Sequence, residues 1–222
     1  MIKLLNNFSI KSRLLLSVTL FIATLLVSLY QAYTSIGSNI EFAVKEKMGN
    51  LYQRPLANIL YGAGKLRIVL AKNPGAQSVI ADLVKNIDAQ MTALQAAQNQ
   101  VGSALQFTDE GLKSRGRESL KYETVLTKWK DLAAGLASPN AQTDTALVSF
   151  IGDIRGMIAH SGDTSNLILD PDLDSYYLMD VTLLALPQTM DRLAGITAQT
   201  YPRLAAGRVM APQEIIETAV AA

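Results

Sequence analysis

The sequence predicts an all-α protein, in which an N-terminal transmembrane helix continues into an extracytoplasmic bundle of long antiparallel helices. Three observations predict this fold. An uncharged apolar run lies near the start of the chain, and three later segments repeat their apolar residues at alternating spacings of three and four positions. Clusters of proline, glycine and asparagine separate these segments, whereas the strict alternation typical of strands is scarce.

The first predicted element is the apolar run, residues 14–30 (LLLSVTLFIATLLVSLY), extended to residue 33. A helix needs roughly 20 mostly apolar residues to cross a bilayer, and residues 14–33 meet that length. No acidic residue precedes the run, and three basic residues do: Lys3, Lys11 and Arg13. Because basic flanks stay in the cytoplasm, we predict a cytoplasmic segment 1–13, a transmembrane helix 14–33 and a domain 34–222 across the membrane.

A cleaved secretory signal is the alternative interpretation of the same run. Such peptides have an apolar stretch of about 7–15 residues followed by a small-residue cleavage site. Here the apolar stretch is longer, and residues 30–35 (YQAYTS) offer only poor pairs of small residues. The sequence therefore favours an uncleaved anchor, with the lipid bilayer as a partner, and both interpretations export the rest of the chain.

The predicted bundle is built from three segments with the spacing of helices that pack side by side. The first segment carries Val84, Ile87, Met91, Leu94, Gln98, Val101 and Leu105. The second carries Tyr122, Val125, Trp129, Leu132 and Leu136, and the third carries Leu147, Phe150, Ile154, Met157 and Ser161. Gln98 is a polar position within an apolar seam, and such a residue often fixes the register of packed helices.

The predicted helices end at recognisable breaks. Residues 72–75 (KNPG) end the helix that continues from the membrane, and residues 138–140 (SPN) end a later one. Thr143 or Asp144 can cap the helix that follows. Residues 109–117 form a weaker break with two glycines. Pro55 falls inside the first helix, where proline removes a backbone donor, so we expect a boundary or a sharp kink there in preference to a straight helix.

Composition excludes several classes of function. The 222 residues carry a net charge of +1 with basic and acidic residues interleaved, which argues against a nucleic-acid surface. The chain has no cysteine, so an exported domain has no disulfides and depends on buried apolar surface. With His160 as the single histidine, no metal or cofactor site is predicted. No Gly-rich phosphate loop or Ser–His pairing is evident, so we predict that these residues form no enzyme.

The densest polar and aromatic cluster is residues 165–180 (SNLILDPDLDSYYLMD). Its alternating aspartates do not fit a calcium loop, because Ser175 and Val181 occupy the positions that need glycine and a carboxylate. The better interpretation is a helix start, with Asp170 as the cap and Pro171 in the first turn. Residues expected on buried faces of that helix are Leu173, Tyr177, Leu184 and Leu186.

Three separated patterns resemble one known family. The strings 166–178 (NLILDPDLDSYYL), 8–14 (FSIKSRL) and 52–56 (YQRPL) resemble the exported sensor region of bacterial methyl-accepting chemotaxis proteins, and related input regions occur on some sensor histidine kinases. The resemblance implies a homodimeric helical bundle outside the bacterial inner membrane, which binds a small molecule or a periplasmic binding protein. It also implies indirect control of a cytoplasmic histidine kinase through a second membrane helix. Because the sequence stops at Ala222 before any second apolar run, we expect it to be an N-terminal fragment of a longer receptor.

The candidate ligand-binding residues come from the polar cluster and from the first helix: Asn166, Asp170, Asp174, Tyr176, Tyr177, Asp180 and Arg67. Each also has a structural explanation. Asp170 suits a helix cap, the tyrosines suit packing, and Arg67 suits a solvated helix face. Two other functions stay open: the same input region on a histidine kinase or a cyclic-dinucleotide enzyme, and a membrane-anchored coiled-coil scaffold that binds no ligand.

Overall fold

The computed structural model describes residues 9–168 and 173–221, and that part of the chain is all-α without a β-strand. This confirms the all-α part of the prediction. The helices are α1 Ile10–Lys72, α2 Gln77–Ala97, α3 Asp109–Lys113, α4 Tyr122–Gly135, α5 Ala141–Thr164, α6 Leu173–Asp180, α7 Leu186–Ala205 and α8 Pro212–Ala221. Two π-helical turns, Gln98–Gly102 and Val181–Ala185, extend α2 and join α6 to α7.

The chain divides into two compact units, Met1–Val44 and Lys45–Ala222. In the first unit, residues 9–41 of the chain are all exposed, including the whole apolar run. The most apolar window of α1 has none of its residues buried, unlike the core helix of a soluble protein. By length and composition this helix can span a membrane, and a signal sequence has the same properties. The cleaved-signal alternative therefore stays open.

The second unit is organised around one apolar core, and the predicted seams supply most of it. The seam residues of all three segments are buried from Ile87 through Met157, with Gln98 as the one exception. Val84, at the start of the first segment, is half-buried. Helix α1 adds residues at the same helical spacing: Tyr52, Leu56, Ile59, Ala63 and Leu66. Helix α4 packs against α5 and α2, and α5 packs against α7. The sequence periodicity thus predicted the core correctly.

Pro55 does not end the first helix, so of the two predicted outcomes the boundary is wrong, and the kink stays a prediction. Helix α1 continues through Pro55 to Lys72. Proline removes one backbone hydrogen bond, but Pro55 and its neighbours Tyr52, Leu56 and Ile59 are all buried. The apolar surface that these residues remove from water offsets the lost hydrogen bond, which is why tertiary packing overrides the local preference.

The breaks at residues 72–75 and 138–140 lie where the sequence predicted them, with a change of capping residue at the second. The predicted break at 109–117 is only partly correct, because the short helix α3 Asp109–Lys113 lies inside it and the chain turns at residues 103–106 and 114–116. Helix α5 is capped by Asn140, whose Oδ1 accepts a hydrogen bond from the Gln142 backbone N at 2.9 Å. Thr143 completes a capping box, because its Oγ1 accepts from the Asn140 backbone N at 2.9 Å. Neither Thr143 nor Asp144 is therefore the cap itself, and Asp144 remains free to pair elsewhere.

Helix α6 lies where the sequence predicted a helix, but the predicted cap, Asp170 with Pro171, lies outside the described residues. Three of the residues predicted on its buried face are exposed. Tyr177, Leu184 and Leu186 are 60%, 39% and 51% exposed. For Leu184 and Leu186 the π-helical turn Val181–Ala185 explains the error, because its wider turn breaks the 3.6-residue periodicity that the prediction assumed. Tyr177 lies before this turn, and its exposure has no such explanation. Leu183 is buried there instead, with 9% of its surface exposed.

Candidate functional site: a cavity beside Arg67

The candidate residues that the structure describes lie on three elements: α1, the turn after α5, and α6. Asn166 is half-buried in the turn after α5 and has φ = 64°, a left-handed conformation that asparagine adopts more readily than most residues. Tyr177 and Asp180 are exposed on α6, and Asp174 and Tyr176 belong to the same helix. Asp170 lies outside the described residues.

Arg67 lies far from Asn166. Helix α1 meets the turn after α5 at Gly49, where an added β-carbon would overlap the side chain of Ser165. Arg67 follows 18 residues later, which is about 27 Å along a helix at 1.5 Å per residue. The described residues therefore do not combine Arg67 and the turn at Asn166 in one site.

Arg67 instead forms an ion pair with Asp144, near the start of α5. Its Nε lies 2.7 Å from Asp144 Oδ1, and its Nη2 lies 3.1 Å from Oδ2. This two-point geometry is the strong form of a guanidinium–carboxylate pair. The burial is unequal, because the Arg67 side chain is 7% exposed and the Asp144 side chain is 55% exposed. The guanidinium is thus held inside the protein, whereas water reaches its partner.

A cavity of about 330 Å³ lies beside this ion pair. Its walls come from α1, α7 and the residues around the start of α5, and they include Leu70, Pro74, Pro139, Asn140, Ala198 and Pro202. Ligand pockets in proteins have volumes of about 300–1,000 Å³, with mostly apolar walls and a few convergent polar groups. Within the described residues, Arg67 Nη1 donates no hydrogen bond. Arg67 lines the cavity, so its guanidinium is placed to contact a small anion there.

A second polar cluster, centred on His160, was not predicted from the sequence. His160 is fully buried, and its Nε2 lies 3.2 Å from the Leu105 carbonyl oxygen and 3.3 Å from the Gln106 carbonyl oxygen. Two acceptors at Nε2 require a proton on that nitrogen. Nδ1 then accepts from Arg117 Nη1 at 3.4 Å, and the same Nη1 donates to Asp163 Oδ2 at 2.8 Å. The partners of His160 therefore fix a neutral imidazole.

Phe107 links this cluster to α1 and to the polar seam residue. Its ring stacks on Tyr52 with centroids 4.3 Å apart and meets the edge of His160 at 4.5 Å. The Tyr52 hydroxyl donates to Gln98 Oε1 at 2.7 Å, and Gln98 Nε2 donates to the Phe107 carbonyl oxygen at 3.2 Å. Both amide atoms of Gln98 are thus hydrogen-bonded. The bond to Tyr52 can fix the register between α1 and the end of α2, which is the role that the sequence predicted.

The buried imidazole makes stability depend on pH. Burial lowers the pKa of His160 below its ordinary value, and the positive charge of Arg117 lowers it further. Below about pH 6.5 the unfolded chain binds a proton that the folded chain resists, so stability falls as the pH falls. Urea unfolding at pH 7.5 and pH 5.5 should show this loss, with a slope of at most about 1.4 kcal/mol per pH unit from this one group.

The matched variant for that experiment is His160→Gln, which keeps a side-chain amide to donate to the Leu105 carbonyl. We expect its stability to change less between the two pH values than that of the wild-type chain. The facing charged groups are Arg117 and Arg115 from the segment before α4 and Asp163 on α5. Equal pH dependence in both proteins would assign the effect to another group.

Comparison of the chain with protein-family profiles, with curated proteins and with solved structures gave no match. Within the described residues, no group of three or more His, Asp or Glu side chains is placed to hold a metal ion. What the site does must therefore be inferred from its own residues.

Proposed function

We propose that this chain is the ligand-sensing input region of a transmembrane chemotaxis receptor. A small anionic molecule binds in the Arg67 cavity, and the resulting change in helix packing is transmitted along α1 to control a cytoplasmic kinase. One observation carries the proposal: α1 is a single helix, Ile10–Lys72, that contains both the exposed apolar run and the buried Arg67. The basic residues before the run support a periplasmic location for the cavity.

The Arg67–Asp144 pair supplies a mechanism for the change in packing. It joins α1 to the first turn of α5 through two hydrogen bonds. A bound anion competes with Asp144 for the guanidinium, and the displaced carboxylate turns to water, which already reaches it. The ligand thus favours the state in which α1 and α5 are no longer joined at this point, and this difference in affinity is what shifts a conformational equilibrium.

The proposal includes the finer architecture that the family resemblance implies. The helices of the second unit form an antiparallel bundle, and two copies pair through helix packing. Large apolar side chains that are exposed on α6 and α8, such as Leu178 at 64% and Ile216 at 61%, support the pairing because it would remove them from water. Sedimentation of the detergent-solubilised chain tests it, and a monomer at micromolar concentration would contradict it.

The ligand proposal is tested by thermal unfolding of the full chain in detergent with acetate, succinate, sulfate or phosphate. At 100 times its dissociation constant, a ligand stabilises the folded state by about 2.7 kcal/mol, which raises the midpoint by roughly 5–10 °C for a chain of this size. We expect at least one anion to do so, and we expect Arg67→Gln to remove the shift.

The matched control is Arg54→Gln, because Arg54 lies on the same helix, is exposed and is not part of the cavity. This variant should respond to the anion as the wild-type chain does. If the anion still raises the unfolding midpoint of Arg67→Gln, the anion binds at another site. No shift with any of these anions would favour the scaffold alternative, in which the chain binds no small ligand.

A further inference from the structure

A second cavity, between α1, α5 and α7, differs in chemistry from the Arg67 cavity. Its volume is about 190 Å³, and its walls are mainly apolar: Leu60 and Ile68 on α1, Ile151 on α5, and Met190 and Leu193 on α7. An apolar cavity of about 150 Å³ is large enough to hold benzene, so this one has room for a single aromatic ring. Met190 adds a flexible, polarizable side chain that adapts to the shape of a ligand.

Two charged residues line this cavity, and only the acidic one is neutralised. Asp191 Oδ2 lies 2.8 Å from Arg155 Nη1, and the Asp191 side chain is 19% exposed. Lys65 is exposed, and its Nζ lies 4.4 Å from the centroid of the Tyr61 ring. Over residues 9–168 and 173–221, no carboxylate lies within ion-pair distance of Lys65. Lys65 is therefore a charged lining residue of this cavity that no described carboxylate pairs with, and together with Tyr61 it also lines the adjoining space beside Asp82.

We propose that this cavity binds a small apolar carboxylate, of which benzoate is the simplest aromatic example. The ring enters the apolar space, and the carboxylate remains at the mouth, where the Lys65 ammonium donates to it. Apolar burial supplies the attraction and the charge selects the acid, because the carboxylate of Asp191 is already paired and is not available to a cation. This inference does not depend on an anion binding at Arg67, which lies in a separate cavity.

The test is isothermal titration calorimetry of the full chain in detergent with benzoate and with benzylammonium, which has a similar size and the opposite charge. We expect benzoate to bind the wild-type chain at least tenfold more tightly than benzylammonium. Lys65→Gln should weaken benzoate binding at least tenfold and remove the preference between the two probes. Titration of protein-free micelles measures the partitioning of each probe into detergent, which is subtracted.

The structure offers a close control, Lys72→Gln. Lys72 lies on the same helix and also lies over an aromatic ring, with its Nζ 5.2 Å from the centroid of Tyr201, but it does not line the cavity. This variant should bind benzoate as the wild-type chain does. A second variant, Gly64→Leu, should abolish binding of both probes by filling the space, since a β-carbon at Gly64 would already lie 3.8 Å from the Ala194 β-carbon. Circular dichroism checks that each variant is folded.

Three outcomes would overturn the inference. The first is that benzoate does not bind the wild-type chain at millimolar concentration. The second is that Lys65→Gln and Lys72→Gln bind benzoate equally. The third is that Arg67→Gln loses benzoate binding while Lys65→Gln keeps it. That result would mean that benzoate binds in the Arg67 cavity, and it would support the proposed function instead.

Discussion

Replacing Trp129 with alanine is expected to lower the free energy of unfolding by about 3–5 kcal/mol. The indole is 1% exposed and packs against Phe150, with the ring centroids 5.2 Å apart. It lies where α2, α4 and α5 meet, so the side chains around it cannot all move into the space that alanine leaves. Urea unfolding followed by circular dichroism measures the change.

A milder variant separates the two contributions of Trp129. Its Nε1 donates to Asp88 Oδ1 at 2.7 Å, but Asp88 is exposed and water can replace the indole as donor. Trp129→Phe, which keeps much of the volume and loses the hydrogen bond, should therefore cost about 1 kcal/mol. If Trp129→Ala lowered the free energy of unfolding no more than Trp129→Phe does, packing around Trp129 would not be a main source of the protein's stability.

Replacing Asp144 with alanine is expected to cost about 3 kcal/mol, and more than replacing Arg67 with methionine. The first change leaves a charged guanidinium, 7% exposed, without its carboxylate. The second leaves a carboxylate that is 55% exposed and solvated, with an apolar side chain in the buried position, so it should cost about 1 kcal/mol or less. Urea unfolding of both variants measures this asymmetry.

The same pair of variants separates stability from ligand binding. Phosphate or succinate should restore part of the stability lost in Asp144→Ala, because an external anion can pair with the vacant guanidinium. It should restore nothing in the double variant Arg67→Met with Asp144→Ala. Equal costs for the two single variants would mean that the buried charge of Arg67 does not determine the energy of the pair.

Periodicity predicted the part of the fold that depends on neighbouring residues. Residues three and four positions apart share a helix face, so the spacing of Ile87, Met91 and Leu94 was enough to predict which face is buried. Trp129 was predicted in the core for the same reason. The prediction failed for Leu184 and Leu186, where this periodicity itself changes at the π-helical turn after Asp180.

Contacts between distant residues left no such pattern in the sequence. Arg67 and Asp144 are 77 positions apart, and each is an ordinary helix-surface residue when considered alone. The partners of His160 Nε2 are backbone carbonyls at Leu105 and Gln106, which any residues would provide. The candidate site could therefore be predicted only as single residues. The folded chain then separated Arg67 from Asn166 and brought it beside Asp144.

The indole of Trp129 belongs to the sole tryptophan among the 222 residues. Its intrinsic fluorescence therefore comes from one known place, the contact of α2, α4 and α5, and shifts to longer wavelength when water enters there. An effector that loosens these helices can therefore be followed in the unlabelled chain, in real time, through the wavelength of the tryptophan emission maximum.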